Sequence, residues 1–382
     1  RFYAGLALID PAFAQPPSFQ LPFGLNATAI VRVITMTPPL TLLFFVTGVF
    51  VFLTRRIKSN FAEPWLLFLW FIVPIARVSL ENLDRAGSIR QFIEYLPALA
   101  IVAGVGAGYV TSKIKSTMFT YAFFIIAFFL LLFPIIRLHP NQNVYFNFLS
   151  GGLRGAKELR LFTWWGTYGN VYRQAVIWMN NHAPKHAKIA YVDGTMLSIS
   201  PFWLRQDLRF GTYFSGFEQK GEYVLSIVYP SPPAVFAYNY LDRFLSPVYE
   251  LTADGVVILK IWHNDASRLK PEFIKHHEIS GYEVARKTPV GKGRVWEISL
   301  AKHEKILRVI VNVPSGCSVR GGVWSTLLGS EETFIVPEVK TLEAEVIEID
   351  FPAELADRIR LWDLEETSCL YEAQVAKIDV VD

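Results

Sequence analysis

The sequence places cations and a carboxylate at the edge of one apolar segment, where they could bind an anion. Arg85 precedes the segment 89–110, and Arg90 and Glu94 stand at its beginning. A guanidinium binds a phosphate well because it offers several donors in a fixed planar geometry. Arg90 and Glu94 are also one helical turn apart, which is the spacing of an ordinary ion pair on a helix. The pattern predicts substrate binding by Arg90, Glu94 and Arg85, with an interfacial ion pair as the alternative.

Polar and aromatic side chains directly follow the last apolar segment of the sequence. His139, Tyr145 and Asn147 come soon after Arg137, where a chain leaving a membrane would meet the headgroup region. They could bind the polar part of a substrate, or they could form a hydrogen-bonded loop. Trp165 could stack on a sugar, or it could belong to the aromatic belt that anchors proteins at a membrane interface. These residues are predicted substrate contacts, and the sequence assigns no catalytic residue.

Metal and nucleotide chemistry are not predicted. The cluster His276-His277-Glu278 lacks a second group of ligands, which favours a solvated turn over a metal site. The glycines within 104–108 lie inside an apolar segment, where small residues favour close helix packing over phosphate binding. Cys317 and Cys369 are the only cysteines. A disulfide between them is chemically allowed outside the cytoplasm, and two free thiols are the alternative.

The composition indicates a membrane protein with a large water-exposed part. Apolar residues make up 52% of the 382 residues, and charged residues make up only 19%. Residues 1–137 contain 11 Lys and Arg against 5 Asp and Glu, whereas 138–382 contain 26 against 29. A membrane-spanning helix needs about 20 apolar residues. Four segments approach this length and predict a transmembrane bundle over 34–137, with helices at 34–54, 64–80, 89–110 and 117–136.

The loops between these segments predict which side of the membrane each part occupies. The basic run 55–58 follows the first segment, and Lys113 and Lys115 follow the third. Positively charged loops stay in the cytoplasm. The irregular segment 1–33 and everything after the last helix are therefore predicted on the external or periplasmic side of a plasma or inner membrane. Nucleic acid is not an expected partner, because no basic stripe with interleaved aromatic residues occurs.

Two external domains are predicted after the membrane segments. Short strands and the Asp254-Gly255 hairpin turn predict a small α/β domain over 138–265. Short alternating strands predict an antiparallel β-sandwich over 271–382. The end of the chain, with Arg358-Ile-Arg-Leu-Trp and Leu370-Tyr-Glu, resembles the discoidin-type sandwich family. The predicted elements include a helix at 170–182 and sandwich strands at 293–300, 306–313, 343–351, 359–364 and 370–379.

Five segments between residues 30 and 262 form an ordered set of motifs. They are Thr35-Met-Thr-Pro-Pro-Leu-Thr-Leu-Leu, Gly87-Ser-Ile-Arg-Gln-Phe-Ile-Glu-Tyr-Leu-Pro-Ala-Leu-Ala-Ile-Val-Ala-Gly, His139-Pro-Asn-Gln-Asn-Val-Tyr-Phe-Asn, Trp165-Gly-Thr-Tyr-Gly-Asn-Val-Tyr-Arg-Gln-Ala-Val-Ile-Trp, and Pro247-Val-Tyr-Glu-Leu with Asp254-Gly255. Together they resemble the GT-C-fold membrane glycosyltransferases, specifically the protein mannosyltransferase-like branch. Gln91 stands where this family commonly has a histidine.

The resemblance implies transfer of a sugar from a polyprenyl-phosphate carrier to an acceptor on the external face. The family carries its catalytic acid in the first external loop, so the acid is expected upstream of Arg1 and absent from this chain. The expected partners are membrane lipids, the lipid-linked sugar and protein subunits of a membrane complex, with no cofactor. A second hypothesis, of another class, is a non-catalytic transmembrane scaffold subunit derived from such an enzyme.

Overall fold

A computed structural model describes most of the chain, which divides into two compact units. The first unit contains residues 1–174, 227–231 and 251–259, and the second contains 175–226, 232–250 and 260–382. The described residues are 19, 26–55, 62–81, 88–159, 161, 170–190, 199–228, 236–273, 275–286, 293–316, 322–335, 338–343, 345–363 and 372–381.

The first unit is mainly helical, and its longest helices follow the apolar segments of the sequence. Proline interrupts the first of these segments, because it lacks a backbone donor and disfavours the helical conformation of the residue before it. The helix predicted over 34–54 is therefore two helices, bent by 112° around Thr37 and Pro38. The helices are α1 (Thr28–Met36), α2 (Pro39–Arg55), α3 (Ala62–Glu81), α4 (Leu96–Ser112), α5 (Thr117–Arg137) and α6 (Gly152–Glu158), with a 3-10 helix at Ser88–Tyr95 before α4.

Two helical segments are long and apolar enough to cross a membrane. They are Phe92–Ser112, which joins the 3-10 helix to α4, and Thr117–Arg137, which is α5. The bent pair of α1 and α2 is a third candidate span if the two helices count as one. The apolar part of α3, Pro64–Ser79, is shorter than these candidate spans. Along its whole described length α5 has no buried residue. A helix that is apolar on every side and unburied suits lipid as its surroundings.

The contact between α2 and α4 depends on two glycines. A Cβ atom on Gly106 would lie 1.9 Å from the carbonyl oxygen of Phe44, and one on Gly48 would lie 2.0 Å from that of Val102. Only glycine allows the two backbones to approach this closely. Gly104, two positions earlier on the same apolar helix, has no described atom within 4 Å of such a Cβ. The packing expected for the glycine run therefore involves Gly106 rather than the whole run.

A small sheet with two helices follows in the chain. Its strand order is β2-β1-β3-β5-β4, and β1 pairs in parallel with both β2 and β3. Asp254 and Gly255 have φ values of 47° and 76° at the tight turn between β4 and β5, as the sequence predicts for an Asp-Gly hairpin. The elements are α7 (Asn170–His182), β1 (Lys188–Ala190), β2 (Arg209–Thr212), β3 (Tyr223–Ile227), α8 (Phe236–Phe244), β4 (Tyr249–Ala253) and β5 (Val256–His263).

The C-terminal part of the second unit is an antiparallel sheet of eight strands. Two strands are much longer than predicted, because 293–300 and 306–313 form one strand, as do 343–351 and 359–364. The pairing of β12 with β8 shifts register between Asp350 and Glu354, and the strand continues through this irregularity. The strands are β6 (His276–Ile279), β7 (Tyr282–Arg286), β8 (Gly293–Asn312), β9 (Gly322–Leu328), β10 (Glu331–Ile335), β11 (Glu338–Glu343), β12 (Val346–Asp363) and β13 (Gln374–Val381).

The two long strands give this sheet its sandwich-like form. The first part of β12 pairs with β11 and its last part with β9, while the first part of β8 pairs with β7 and its last part with β13. Residues from both ends of each long strand belong to one hydrophobic core, including Trp296 and Val309 of β8 and Ile347 and Ile359 of β12. The sheet must therefore fold over itself, which confirms the antiparallel, sandwich-like character predicted for this part.

Candidate functional site

A cavity of about 540 Å³ lies at the C-terminal end of α5, within the first unit, and is called the α5-end pocket. Its lining combines apolar side chains with charged and hydroxyl groups. Phe133 and Pro134 of the apolar lining belong to α5, the helix that suits lipid. The apolar lining comes from Pro39, Phe133, Pro134 and Phe148, and the polar lining comes from Arg137, Tyr145, Arg154 and Asp254.

The polar lining of the pocket contains two guanidinium groups and one carboxylate. Arg137 donates a hydrogen bond to Asp254, which stands in the turn between β4 and β5. Among the described ion pairs, Arg154 takes part in one, with Glu158 one helical turn later on α6 at 3.6 Å. The side chain of Arg154 is 84% exposed. Exposed ion pairs contribute little free energy, so an anionic ligand can compete for both guanidiniums. The pocket lining thus carries an excess of one positive charge.

Gly152, which also lines the pocket, allows the carboxylate of Asp254 to come close to its backbone. A Cβ atom at Gly152 would lie 3.2 Å from the Oδ2 atom of Asp254, and Gly152 has a φ of 69°. A side chain would meet both a steric and a backbone penalty there. The glycine therefore leaves room for the carboxylate that bonds Arg137.

Asn147 lies against the pocket but is buried, with 3% exposure. Its amide nitrogen donates to the carbonyl oxygens of Ile34 and Thr37, both at 2.7 Å, and its Oδ1 accepts from Leu149 N at 2.9 Å. These carbonyls belong to the end of α1, where helical partners run out. Asn147 therefore ties the α1–α2 bend to the loop after α5 and positions the pocket.

Tyr145 and His139 occupy different surroundings, although the sequence groups them. Tyr145 is half-buried in the pocket lining, and burial raises the pKa of its phenol, which keeps the hydroxyl protonated as a donor. His139 is exposed, with its Nδ1 atom 3.0 Å from the side-chain nitrogen of Gln142. It is not among the residues that line the pocket.

Glu94 has a partner that the sequence does not predict. Its carboxylate lies 3.4 Å from the guanidinium of Arg77 on α3, and both side chains are about half exposed. The helical backbone of Arg90 is described, but its side chain lies outside the described residues. The predicted phosphate contact of Arg90 therefore stays a prediction. Four other predicted residues lie outside the described ranges altogether: Arg85, Trp165, Cys317 and Cys369.

Sequence reasoning missed the charged groups of the pocket. Arg137 has one visible signal, since it is the first charged residue after the uncharged run 116–136. Asp254 has another, the hairpin turn, but the sequence does not link it to a residue 117 positions away. Arg154 has no distinguishing signal in the sequence.

Within the described ranges, no group of three or more His, Cys, Asp or Glu residues is placed to hold a metal ion. No protein-family model matches the sequence, and the curated proteins give no match either.

Proposed function

We propose that this chain is a membrane glycosyltransferase of the GT-C class, and that the α5-end pocket binds the phosphate of its polyprenyl carrier. One observation carries the proposal: a single cavity joins an apolar surface at the end of a potential membrane helix to two guanidinium groups. A polyprenyl phosphate has the same division, with a hydrocarbon tail beside an anionic head. The resemblance of the five sequence motifs to this enzyme class supports the same conclusion.

The proposed topology has four spans, with the segments 34–54 and 64–80 added to the two long apolar helices. The loops with the basic run 55–58 and with Lys113 and Lys115 face the cytoplasm, since they carry the excess of positive charge. The α5-end pocket and the domains after Arg137 then face the external side. A carrier headgroup in the outer leaflet would lie at the level of this pocket.

The charge of the pocket suits the leaving group of the proposed reaction. The acceptor hydroxyl attacks the anomeric carbon, its proton passes to a base, and the bond between sugar and phosphate oxygen breaks. A carrier phosphodiester with one negative charge thereby becomes a monoester that carries more. Arg137 and Arg154 would bind the phosphate more strongly in the transition state than in the bound substrate, because the phosphate is more negative in the transition state. This difference lowers the barrier to sugar transfer. The base that accepts this proton is not assigned to a described residue of this chain.

Binding of polyprenyl phosphate tests the pocket directly. The full chain in phosphatidylcholine nanodiscs is labelled with a photoreactive polyprenyl phosphate, and bound probe is quantified by mass spectrometry. Arg137→Gln and Arg154→Gln should each lower the apparent affinity about tenfold, because a hydrogen bond to a charged group is lost. Lys157→Gln is the matched control, since it removes one charge from the same helix as Arg154 and lies outside the pocket lining.

Equal labelling of all three variants would overturn the assignment of the pocket. The transferase reaction needs its own measurement, which is release of polyprenyl phosphate from polyprenyl-phosphate mannose by the natural membrane complex. A chain that neither binds the probe nor supports this release, but co-purifies stoichiometrically with another membrane subunit, would support the scaffold hypothesis instead. The unburied surface of α5 offers a partner helix a place to pack.

A further inference from the structure

A short turn in the second unit exposes one aromatic side chain almost completely and a second one in part. It comprises residues 201–204, Pro-Phe-Trp-Leu, and is called the 201–204 turn. Phe202 is 97% exposed and Trp203 is 40% exposed. Ile177, one helical turn before Asn180 on α7, is 52% exposed. Two neighbouring aromatic side chains exposed on one turn form a contiguous apolar surface, which is the kind of feature that marks an interaction site.

The base of the turn is firmly hydrogen-bonded to the end of α7. Asn180 donates from its side chain to the Trp203 carbonyl at 2.8 Å and accepts from the Arg205 backbone at 2.8 Å. The Arg205 guanidinium donates to the carbonyls of Asn180, Ala183 and Pro184 at 2.6 to 3.0 Å. The turn is therefore held in one conformation, and binding through Phe202 would require little further ordering.

Cations outnumber acids in the segments that contain the turn and the end of α7, in a part of the chain that is otherwise acidic. The segments 180–190 and 199–209 contain four Lys and Arg but a single acid, Asp207. Lys188 and Arg209 are exposed and lie opposite each other on the parallel strands β1 and β2. Lys185 is exposed between α7 and β1. These two segments have a formal charge of +3, whereas residues 138–382 together have −3.

We propose that the 201–204 turn inserts Phe202 and Trp203 into the interface of an anionic lipid membrane. Lys185, Lys188 and Arg209 then lie against the lipid phosphates. Aromatic side chains favour the interfacial region, and each basic residue near an anionic surface adds attraction. The potential membrane helices tether the chain to a bilayer, so a lipid surface is present at high effective concentration. The proposal does not depend on sugar transfer or on the α5-end pocket.

Photocrosslinking to lipid tests this insertion. The full chain is placed in nanodiscs of phosphatidylcholine alone or of phosphatidylcholine with phosphatidylglycerol, with p-benzoylphenylalanine in place of Phe202. Irradiation should give lipid adducts, identified by mass spectrometry, with a higher yield in the anionic membrane. The same photoreactive residue in place of Tyr213 is the matched control, since Tyr213 is 76% exposed at the end of β2 and lies outside the turn. It should give few lipid adducts.

The charges are tested separately from the aromatic side chains. Lys185→Gln and Lys188→Gln, each combined with the probe at position 202, should lower the adduct yield in the anionic membrane about fivefold, the equivalent of about 1 kcal/mol per basic residue. Adducts at position 202 no more abundant than those at position 213 would overturn the proposal. Equal yields of lipid adducts in the neutral and anionic membranes would also overturn it. Adducts at position 202 with protein rather than lipid would do the same.

Discussion

At the scale of single residues, the side chains that define the α5-end pocket divide into those that face the cavity and those that position it. Arg137, Arg154 and Tyr145 present donors to the cavity, whereas the amide of Asn147 is fully engaged by backbone groups. A buried amide with three hydrogen-bond partners holds the segments that it joins in place, because moving any one of them would leave a buried polar group without a partner. Asn147 therefore acts on the pocket through structure.

Replacing Asn147 should destabilise the first unit. Asn147→Ala leaves the carbonyls of Ile34 and Thr37 without their side-chain donor, which should lower the free energy of unfolding by about 1–3 kcal/mol. The measurement is thermal unfolding of the full chain in detergent. Asn181→Ala, at an exposed position on α7, is the control and should change stability by less than about 0.5 kcal/mol. Equal Tm values for the two variants would contradict the positioning role.

The pair Arg205 and Asp207 should make stability depend on pH. The hydrogen bond from Arg205 and a further one from the His186 backbone lower the pKa of Asp207 well below its ordinary value of 3.8. A lowered folded-state pKa means that the stabilisation is present above the unfolded value and is lost as the pH falls through the folded one. Asp207→Asn should therefore lower Tm at neutral pH, and the difference from the natural chain should shrink below about pH 4.

Thermal unfolding of both chains across this pH range checks the prediction. Asp265→Asn provides a comparison away from the end of α7, because its carboxylate bonds Ser267 in its own turn. A Tm difference for Asp207→Asn that is constant from neutral to acid pH would contradict the role of the ionised carboxylate.

At the scale of elements, α2 and α4 cross with a close backbone contact in the helical unit. The obstacle to a larger residue at Gly106 is a backbone carbonyl, that of Phe44, and a backbone cannot rotate away as a side chain can. The helices would have to separate and lose the packing around the contact. Overpacking of this kind typically costs about 1–3 kcal/mol.

Two alanine variants on one helix separate this steric effect from helix propensity. Gly106→Ala should lower the Tm of the full chain in detergent, although alanine favours helix over glycine by about 1 kcal/mol. Gly104→Ala is the matched control, since no described atom lies within 4 Å of its Cβ, and it should leave Tm unchanged or raise it. If both variants shift Tm in the same direction by the same amount, the close contact does not exist.

At the scale of the whole molecule, the proposed function depends on which side of the membrane each part occupies. The distribution of charge gives the expected answer: the basic loops are inside and the parts after α5 are outside. The acceptor, the carrier headgroup and the second unit would then share one compartment. This arrangement is required for transfer on the external face.

Cysteine accessibility measures this sidedness. In a chain with Cys317 and Cys369 replaced by serine, Lys115→Cys should resist a membrane-impermeant maleimide in intact cells and react only after permeabilisation. Asn181→Cys, at an exposed position on α7, should react in intact cells. Labelling of Lys115→Cys without permeabilisation would reverse the proposed orientation and exclude transfer on the external face.

The sequence predicts most elements correctly, because helix and strand formation depends on residues that are near neighbours in the chain. The bounds of α7 agree with the prediction at both ends, and the Asp254-Gly255 turn follows from residue type alone. The long strands β8 and β12 differ from the prediction because each continues across a stretch whose irregular sequence pattern predicts a loop, and their pairing shifts register there. The break before α2 is explained by Pro38 and Pro39, whereas residue types alone do not predict the 112° angle between the two helices.

The sequence by itself determined the apolar helices, the charge difference between the two parts of the chain and the polar character of the loop after α5. Tertiary structure alone decided that Arg137 meets Asp254, that Asn147 is held by α1, and that Phe202 is exposed. The physical reason is distance along the chain. Propensity and periodicity act over a few residues, whereas a contact across 117 positions exists only once the whole unit has packed.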